Sequence, residues 1–388
     1  MNATKKLYDL DSYANEFEAV VISCEKIEDK DGYVYQIVLD QTLFFPEEGG
    51  QSPDQGKIDD IDVIDVQISQ GVIYHFTKTP LSIGTQVYGK IDWNHRFHNM
   101  QQHSGEHIFS GLVNKIYGYD NVGFHLSNQI VTMDFNGVLT LEQVEEIEQK
   151  VNEVIQSNQP IIVSYPTREE LKDLNYRSKI EIEGQVRIIT IPGTDVCACC
   201  APHVRSTGEI GFLKVMTLQN YKGGVRLSIL CGFRALYEFR KKNALLNELS
   251  LMFSTNQEAL PMIIQKLKDT NQELKYELIE MKKNHINDII AAIPDTQEDV
   301  ILFEDGIDSI IMRNAVNELT KKHTGICGVF TKTEENGYQF ILGSNTKDLK
   351  EVMARLKEQL NARGGGSTTM VQGSVVADQA DIWNIFSL

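Results

Sequence analysis

Residues 195–204, DVCACCAPHV, bring three cysteines within four positions, with a histidine just beyond. Upstream, HSGEH sets His103 and His107 at i and i+4, so on a helix both imidazoles reach one ion. Cys199 and His203 repeat that spacing. The two pairs make a four-ligand set, His103, His107, Cys199 and His203, the usual number for Zn2+, and predict one zinc per chain. In an extended stretch Cys200 points away from Cys199, whereas Cys197 shares its face and is the substitute ligand. The rival reading leaves all three cysteines structural. A structural zinc uses the same ligands as a catalytic one, so the set alone does not fix the chemistry.

Three further residues have types suited to catalysis. Glu106, inside HSGEH, suits a general base or a partner that orients a ligand histidine. It stands three positions from His103 and one from His107, which on a helix turns it aside. His125, in GFHLS, is either a pocket residue acting on substrate or a core or turn histidine. In the triplet Gly49-Gly50-Gln51, the glycines let backbone approach a ligand closely and the glutamine can orient water; a plain turn is the alternative.

These residues need elements to hold them. Residues 17–92 alternate apolar and polar between turn signals and read as a small barrel-like β domain, interrupted by the Gly-rich FFPEEGGQSPDQGKI. Residues 93–118 read as a helix with Met100, His103, His107, Phe109 and Leu112 roughly on one side and Gly118 as its stop. Thr140 and Gln143 stand at capping-box spacing before Leu141, Val144, Ile147, Val151 and Ile155 at helical period. Strands follow on both sides of the cysteine cluster. The fold class is α+β multidomain, with domains at 1–92 (β-barrel), 93–234 (α+β, zinc-containing), 235–294 (helical) and 295–388 (small α/β). Within the helical span, Leu260, Ile264, Leu267, Asn271, Leu274, Leu278, Met281 and His285 form a heptad seam. It serves a homodimer through residues 260–285 or a hairpin within one chain.

Composition narrows the class. The chain has 388 residues and a net charge of −17, so any nucleic acid must be gripped by local basic patches. No apolar run is long enough for a membrane span, and MNATKKLYDL lacks a signal stretch, which predicts a cytoplasmic protein with reduced thiols. Cys24, Cys231 and Cys327 then read as plain buried residues.

QQHSGEHIFSGL, CCAPHVRSTGEIGFLKV and KGGVRLSILCG resemble the editing domain shared by alanyl-tRNA synthetases and the freestanding alanyl-tRNA editing proteins of AlaX type. The family motif Cys-Gly-Gly-Thr-His stands here as Cys199-Cys200-Ala201-Pro202-His203: the ends match and the middle three depart. VGFHLSNQIVTMDF and IEQKVNEVIQSNQPI fit the segment between the ligand pairs. FFPEEGGQSPDQG resembles the preceding β domain, and RGGGSTTMVQGS the glycine motif of the C-terminal DHHA1 domain, which in the family helps hold tRNA. The resemblance runs nearly the whole chain in family order. It implies a trans-editing hydrolase of the long form, without a class II catalytic domain and hence without aminoacylation. Its substrate would be alanine tRNA charged with serine or glycine. A pocket rejects one extra hydroxyl by only about a hundredfold, so a second hydrolytic site makes up the shortfall.

On that reading Arg205, Lys222 and Arg226 meet phosphates near the site, and Gly364, Gly365 and Gly366 after Arg363 cradle backbone phosphate. Two rivals remain. One is a zinc metalloprotease of the H-x-x-E-H pattern, its third ligand drawn from Glu142, Glu145 or Glu146. The other is a non-catalytic tRNA-binding protein with structural zinc. A threonyl-type editing site is a variant that the TGEIG and GGG stretches disfavour.

Overall fold

The computed structural model describes residues 2–386 apart from 30–31, 128–129, 179–183, 297 and 334–336. The chain divides into two compact units, Met1–Glu248 and Leu249–Leu388.

In the first unit, six strands close a barrel in the order Glu16–Asp29, Gly32–Leu39, Val72–Thr77, Ile61–Ser69, Gly56–Ile58 and Gln86–Ile91. Alternation drives the closure: Gln86–Ile91 reads exposed, buried, exposed, buried, with Val87 and Ile91 joining Val21, Ile37, Val66 and Ile73 inside. Residues 43–55 leave the barrel wall as a long excursion that meets the first helix.

That helix, α1 (Trp93–Tyr117), starts at Asp92, whose carboxylate accepts from His95 N at 3.1 Å, and stops at Gly118 with φ 70°. Every residue from Asn99 to Val113 is buried, so α1 has no outward face there, unlike the one-sided helix expected from its apolar spacing. The barrel excursion covers one flank and two sheets the others. One sheet runs Leu213–Tyr221, Gly224–Cys231, Val131–Phe135, Asn121–Leu126, and the second Ile162–Ser164, Ile188–Ile191, Asp195–Ala198, all antiparallel. Helix α2 (Leu141–Gln156) carries the Thr140–Gln143 capping box and buries Val144, Ile147, Val151 and Ile155 against α1 and the sheet. A single-turn α3 (Glu170–Asp173) follows.

The helical span is broken into α4 (Gly232–Met252) and α5 (Leu260–Ala292), with Asn256 capping the turn between them. On α5, Ile264, Leu267, Leu274, Leu278 and Met281 stand exposed on the single chain. The second unit also holds a five-stranded sheet, ordered Val300–Phe303, Cys327–Lys332, Tyr338–Gly343, Met370–Val375, Arg363–Gly366, with α6 (Ser309–Lys322), α7 (Leu349–Leu360) and α8 (Gln379–Phe386). Arg363–Gly366, the start of the glycine motif, is the sheet's exposed edge strand, paired residue for residue with Val371–Ser374. No described helix is long and apolar enough to cross a membrane.

Candidate metal centre

Arg96 and Asp54 fix the excursion to α1. Both are fully buried; Arg96 Nε donates to Asp54 Oδ1 at 3.0 Å, and Phe45 N donates to Asp54 Oδ2 at 2.7 Å. Two turns further along, the same excursion delivers Gln51, whose Oε1 accepts from His103 Nδ1 at 2.8 Å. Gly50 makes this possible: its φ is 80°, and a Cβ there would lie 2.4 Å from Phe124 O.

The other histidines are held the same way. His107 Nδ1 donates to Asp195 Oδ2 at 2.9 Å. Asp195 is gripped in turn by Arg177, Nε to Oδ1 at 2.8 Å and Nη2 to Oδ2 at 3.0 Å. Gly111, one turn after His107, lets Asp195 so close that a Cβ on it would sit 2.7 Å from the Asp195 Cβ. His203 Nδ1 lies 3.0 Å from Ser104 Oγ. His103 and His107, whose Nδ1 atoms face acceptor oxygens, keep Nε2 as the lone-pair nitrogen, and the Ser104 hydroxyl can hold His203 the same way.

Those Nε2 atoms converge. His103 Nε2 and His203 Nε2 lie 3.5 and 3.4 Å from Cys199 Sγ, and the ligand atoms of His103, His107, Cys199 and His203 fall within 4.8 Å of one another. Zinc bonds of about 2.0–2.1 Å to nitrogen and 2.3 Å to sulfur, at a tetrahedral angle, give an N···S edge of about 3.5 Å. The donor set therefore fits a tetrahedral ion. Cys197 falls instead in a group with His107 and Asp195, whose carboxylate is already committed to His107 and Arg177.

The electrostatics suit a cation. Burial, then the neighbouring His107 and His103, pushes the His203 imidazole well below its ordinary value, so the ring is neutral as a ligand must be. Burial pushes the Cys199 thiol well up, and a bound cation reverses that penalty. Burial also opposes the Asp195 carboxylate, but His107 and Arg177 outweigh it and hold the carboxyl below its usual range. The Cys200 thiol is pushed up to about 12, by burial first and then by Glu48. It stays protonated in the wall of the site. Arg187 Nη1 donates to Cys199 O at 2.9 Å and Ala201 O at 2.8 Å, clamping the turn that carries the two downstream ligands.

The cluster opens into a cavity of about 550 Å³ walled by Glu48, Glu106, Phe124, Arg177, Arg187 and Cys200. Glu106 is not turned aside: α1 is buried all round, and the carboxylate lines the cavity with Oε2 4.0 Å from His107 Nε2. Its Oε1 accepts from Ser110 Oγ at 2.6 Å and Asn121 Nδ2 at 2.5 Å. Gln51 acts through His103. His125 is exposed opposite Thr132, and its strand gives Val122 and Phe124 to the cavity instead.

Among the expected basic contacts, Arg205 pairs with Asp11 at 3.2 Å and covers the Tyr13 ring at 4.1 Å. Arg226 pairs with Asp134 at 2.6 Å and stacks on Tyr221 at 3.9 Å, beside Lys222. None of the three lines the cavity. Arg363 and its glycines are exposed in the second unit. Glu142, Glu145 and Glu146 are exposed on α2, outside the metal-ligand groups of the described residues, which removes the carboxylate ligand that the protease reading needs. Sequence reasoning missed Asp195, Arg177, Ser104 and Arg187. Asp195 gave one signal, its position two before Cys197 on the same strand face; Arg177 gave none.

Two family models match: tRNA synthetases class II (A) over residues 3–95, and the threonyl and alanyl tRNA synthetase second additional domain over residues 186–228, which contains Cys199 and His203. Both models describe domains of aminoacyl-tRNA synthetases. Alanyl-tRNA editing protein Aarsd1 of Rattus norvegicus is 29% identical over 94% of this chain and 92% of its own. Alanyl-tRNA editing protein AlaX-L of Pyrococcus horikoshii is 27% identical over 98% and 97%. The alanine–tRNA ligase of Ignicoccus hospitalis is 33% identical over 74% of this chain but only 33% of its own. The chain is similar to these alanyl-tRNA editing proteins along nearly its whole length.

Proposed function

We propose that this protein is an aminoacyl-tRNA deacylase that edits in trans. It cuts the ester joining a wrong amino acid, serine or glycine, to alanine tRNA, with zinc held by His103, His107, Cys199 and His203. The observation that carries the reading is the convergence of three imidazoles and the Cys199 thiol, one ligand atom each within 4.8 Å of one another, beside a cavity and with each ring held by a partner on Nδ1. Zinc, when bound, supplies Lewis acidity toward the ester carbonyl and acidifies a water.

The chain's own groups do the rest. Asp195, Gln51 and Ser104 hold the histidine rings in orientation. Glu106, anchored by Ser110 and Asn121 through one oxygen, takes the proton of the attacking water and returns it to the ribose oxygen as the C–O bond breaks. Phe124 and the buried walls limit water. Domains at 1–92, 93–234, 235–294 and 295–388 assign the barrel, the editing site, the helical arm and a DHHA1-like tRNA-binding module. Lys222, Arg363 and Gly364–Gly366 meet phosphate; Arg205 and Arg226 join them only by leaving Asp11 and Asp134. The α5 seam pairs two copies, and the protein works in the cytoplasm, on charged tRNA.

Purified protein incubated with Ser-, Gly- and Ala-charged alanine tRNA, and with a peptide, tests this. Release of serine and glycine well ahead of alanine, with about one zinc per chain, is expected. Hydrolysis of the peptide, or of none of the esters by zinc-loaded protein, would falsify it.

A further inference from the structure

The segment from Gly49 to Gln55 has a second face. His95 Nε2 lies 3.0 Å from Pro53 O, and Gln55 enters the wall of an open groove of about 1020 Å³ between the first turns of α1 and α4. His95, His98, Phe233, Tyr237, Arg240 and Lys241 line it. On α4, Phe233, Tyr237, Arg240 and Lys241 follow at helical spacing and share one face. Phe233 is 57% exposed and Tyr237 70%, unusual for aromatic side chains. Arg240 and Lys241 are exposed and make no ion pair among the described residues, unlike Arg205 and Arg226. Lys242 adds a further charge, so the stretch is basic within a chain of net charge −17.

The groove's carboxylates are Asp92, occupied in capping α1, and Glu238. Arg234 fixes the start of α4 by donating to Ser127 O at 2.9 Å and Asn99 Oδ1 at 2.7 Å. The His98 ring lies 5.7 Å from Phe233. Exposed aromatic rings followed by unpaired cations on one helix face match single-stranded RNA, whose bases stack and whose phosphates need charge.

We infer that this groove holds the single-stranded 3′ end of the tRNA, its bases on Phe233 and Tyr237 and its phosphates at Arg240 and Lys241. The terminal nucleotide then passes across the Gly49–Gln55 segment to the cavity. The inference rests on the tRNA reading above and names where that RNA lies.

The test uses the full chain, with Tyr237→Ala and the double variant Arg240→Ala/Lys241→Ala. Both sites are exposed, so folding should survive, and matched melting curves check it. Binding of alanine tRNA and of a labelled oligoribonucleotide ending in CCA is followed by anisotropy across a salt series. Tyr237→Ala should weaken both about tenfold. The double variant should lower the log–log salt slope by about 1.4. Unchanged affinity and slope in both variants overturns the inference. So does light scattering in which Tyr237→Ala only splits a dimer and leaves RNA affinity intact, because the face then belongs to a second copy. If the wild type deacylates charged tRNA while the variants bind normally, only the groove assignment fails. If the wild type neither binds nor deacylates charged tRNA, the functional reading fails with it.

Discussion

On one side of the segment Gly49–Gln55 lies the cavity, where the three imidazoles are tied down from behind and the tie of His107 is itself tied, Arg177 to Asp195. On the other side lies the groove, where Tyr237, Arg240 and Lys241 stand in solvent on one helix face. The proposed roles account for the contrast. Holding an ion and a reacting ester needs ring positions fixed to within about half an ångström, which only buried, satisfied polar groups provide. Capturing a flexible strand needs side chains that adapt, and stacking and phosphate contact tolerate that freedom.

The largest expected effect breaks the cavity side outright. Cys199→Ala should lose the metal and at least about a thousandfold in deacylation, since hydrolysis then lacks its Lewis acid. Cys200→Ala should keep the metal. Metal analysis of the two variants decides between them, and the reverse outcome would move the ligand by one residue. Next is the anchor of the segment itself. Arg96→Met leaves Asp54 buried and unpaired, which should cost about 3–5 kcal/mol in chemical denaturation. A loss under about 1 kcal/mol would mean that the excursion is held by packing alone.

Asp195→Asn is milder. It keeps a hydrogen bond to His107 but removes the charge, so zinc affinity in a chelator competition should drop about ten- to a hundredfold. An unchanged affinity would show that Arg177 and Asp195 serve the fold rather than the ring. The smallest effects sharpen the RNA side. Arg363→Ala should reduce the salt slope of tRNA binding by about one, whereas Arg205→Ala, already paired to Asp11, should change affinity less than about twofold.

The His/Cys cluster was legible because its chemistry is carried by rare residue types at helical spacing, but Cys200, expected to point away from Cys199, lines the cavity together with it. The capping box at Thr140 and the stop at Gly118 were legible for the same local reason. The orientation of Glu106, a candidate general base, could not be read from spacing, which describes a helix in isolation, while α1 is enclosed on every side from Asn99 to Val113. That Gly364–Gly366 form an edge strand could not be read, because glycine weakens a strand in general and the pairing with Val371–Gly373 is a tertiary fact. Asp195, Arg177 and Ser104 could not be read, because a partner that orients a ring is defined by approach in space. The groove escaped for a subtler reason. Phe233, Tyr237 and Lys241 form a groove only once α1 and Gln55 are set beside them.

The distance in sequence between the two ligand pairs has a consequence for biosynthesis. The barrel and α1 leave the ribosome well before Cys199 and His203, so His103 and His107 are presented by a fragment that cannot yet close the site. An ion captured once the last ligand emerges would tie together a loop of about ninety residues. That is a cross-link worth on the order of 4–5 kcal/mol of unfolded-chain entropy if it behaves as a covalent bridge would. The ion proposed to arm hydrolysis would then also act as a late-fitted staple, and a chain starved of metal during synthesis would be loosely assembled as well as inactive.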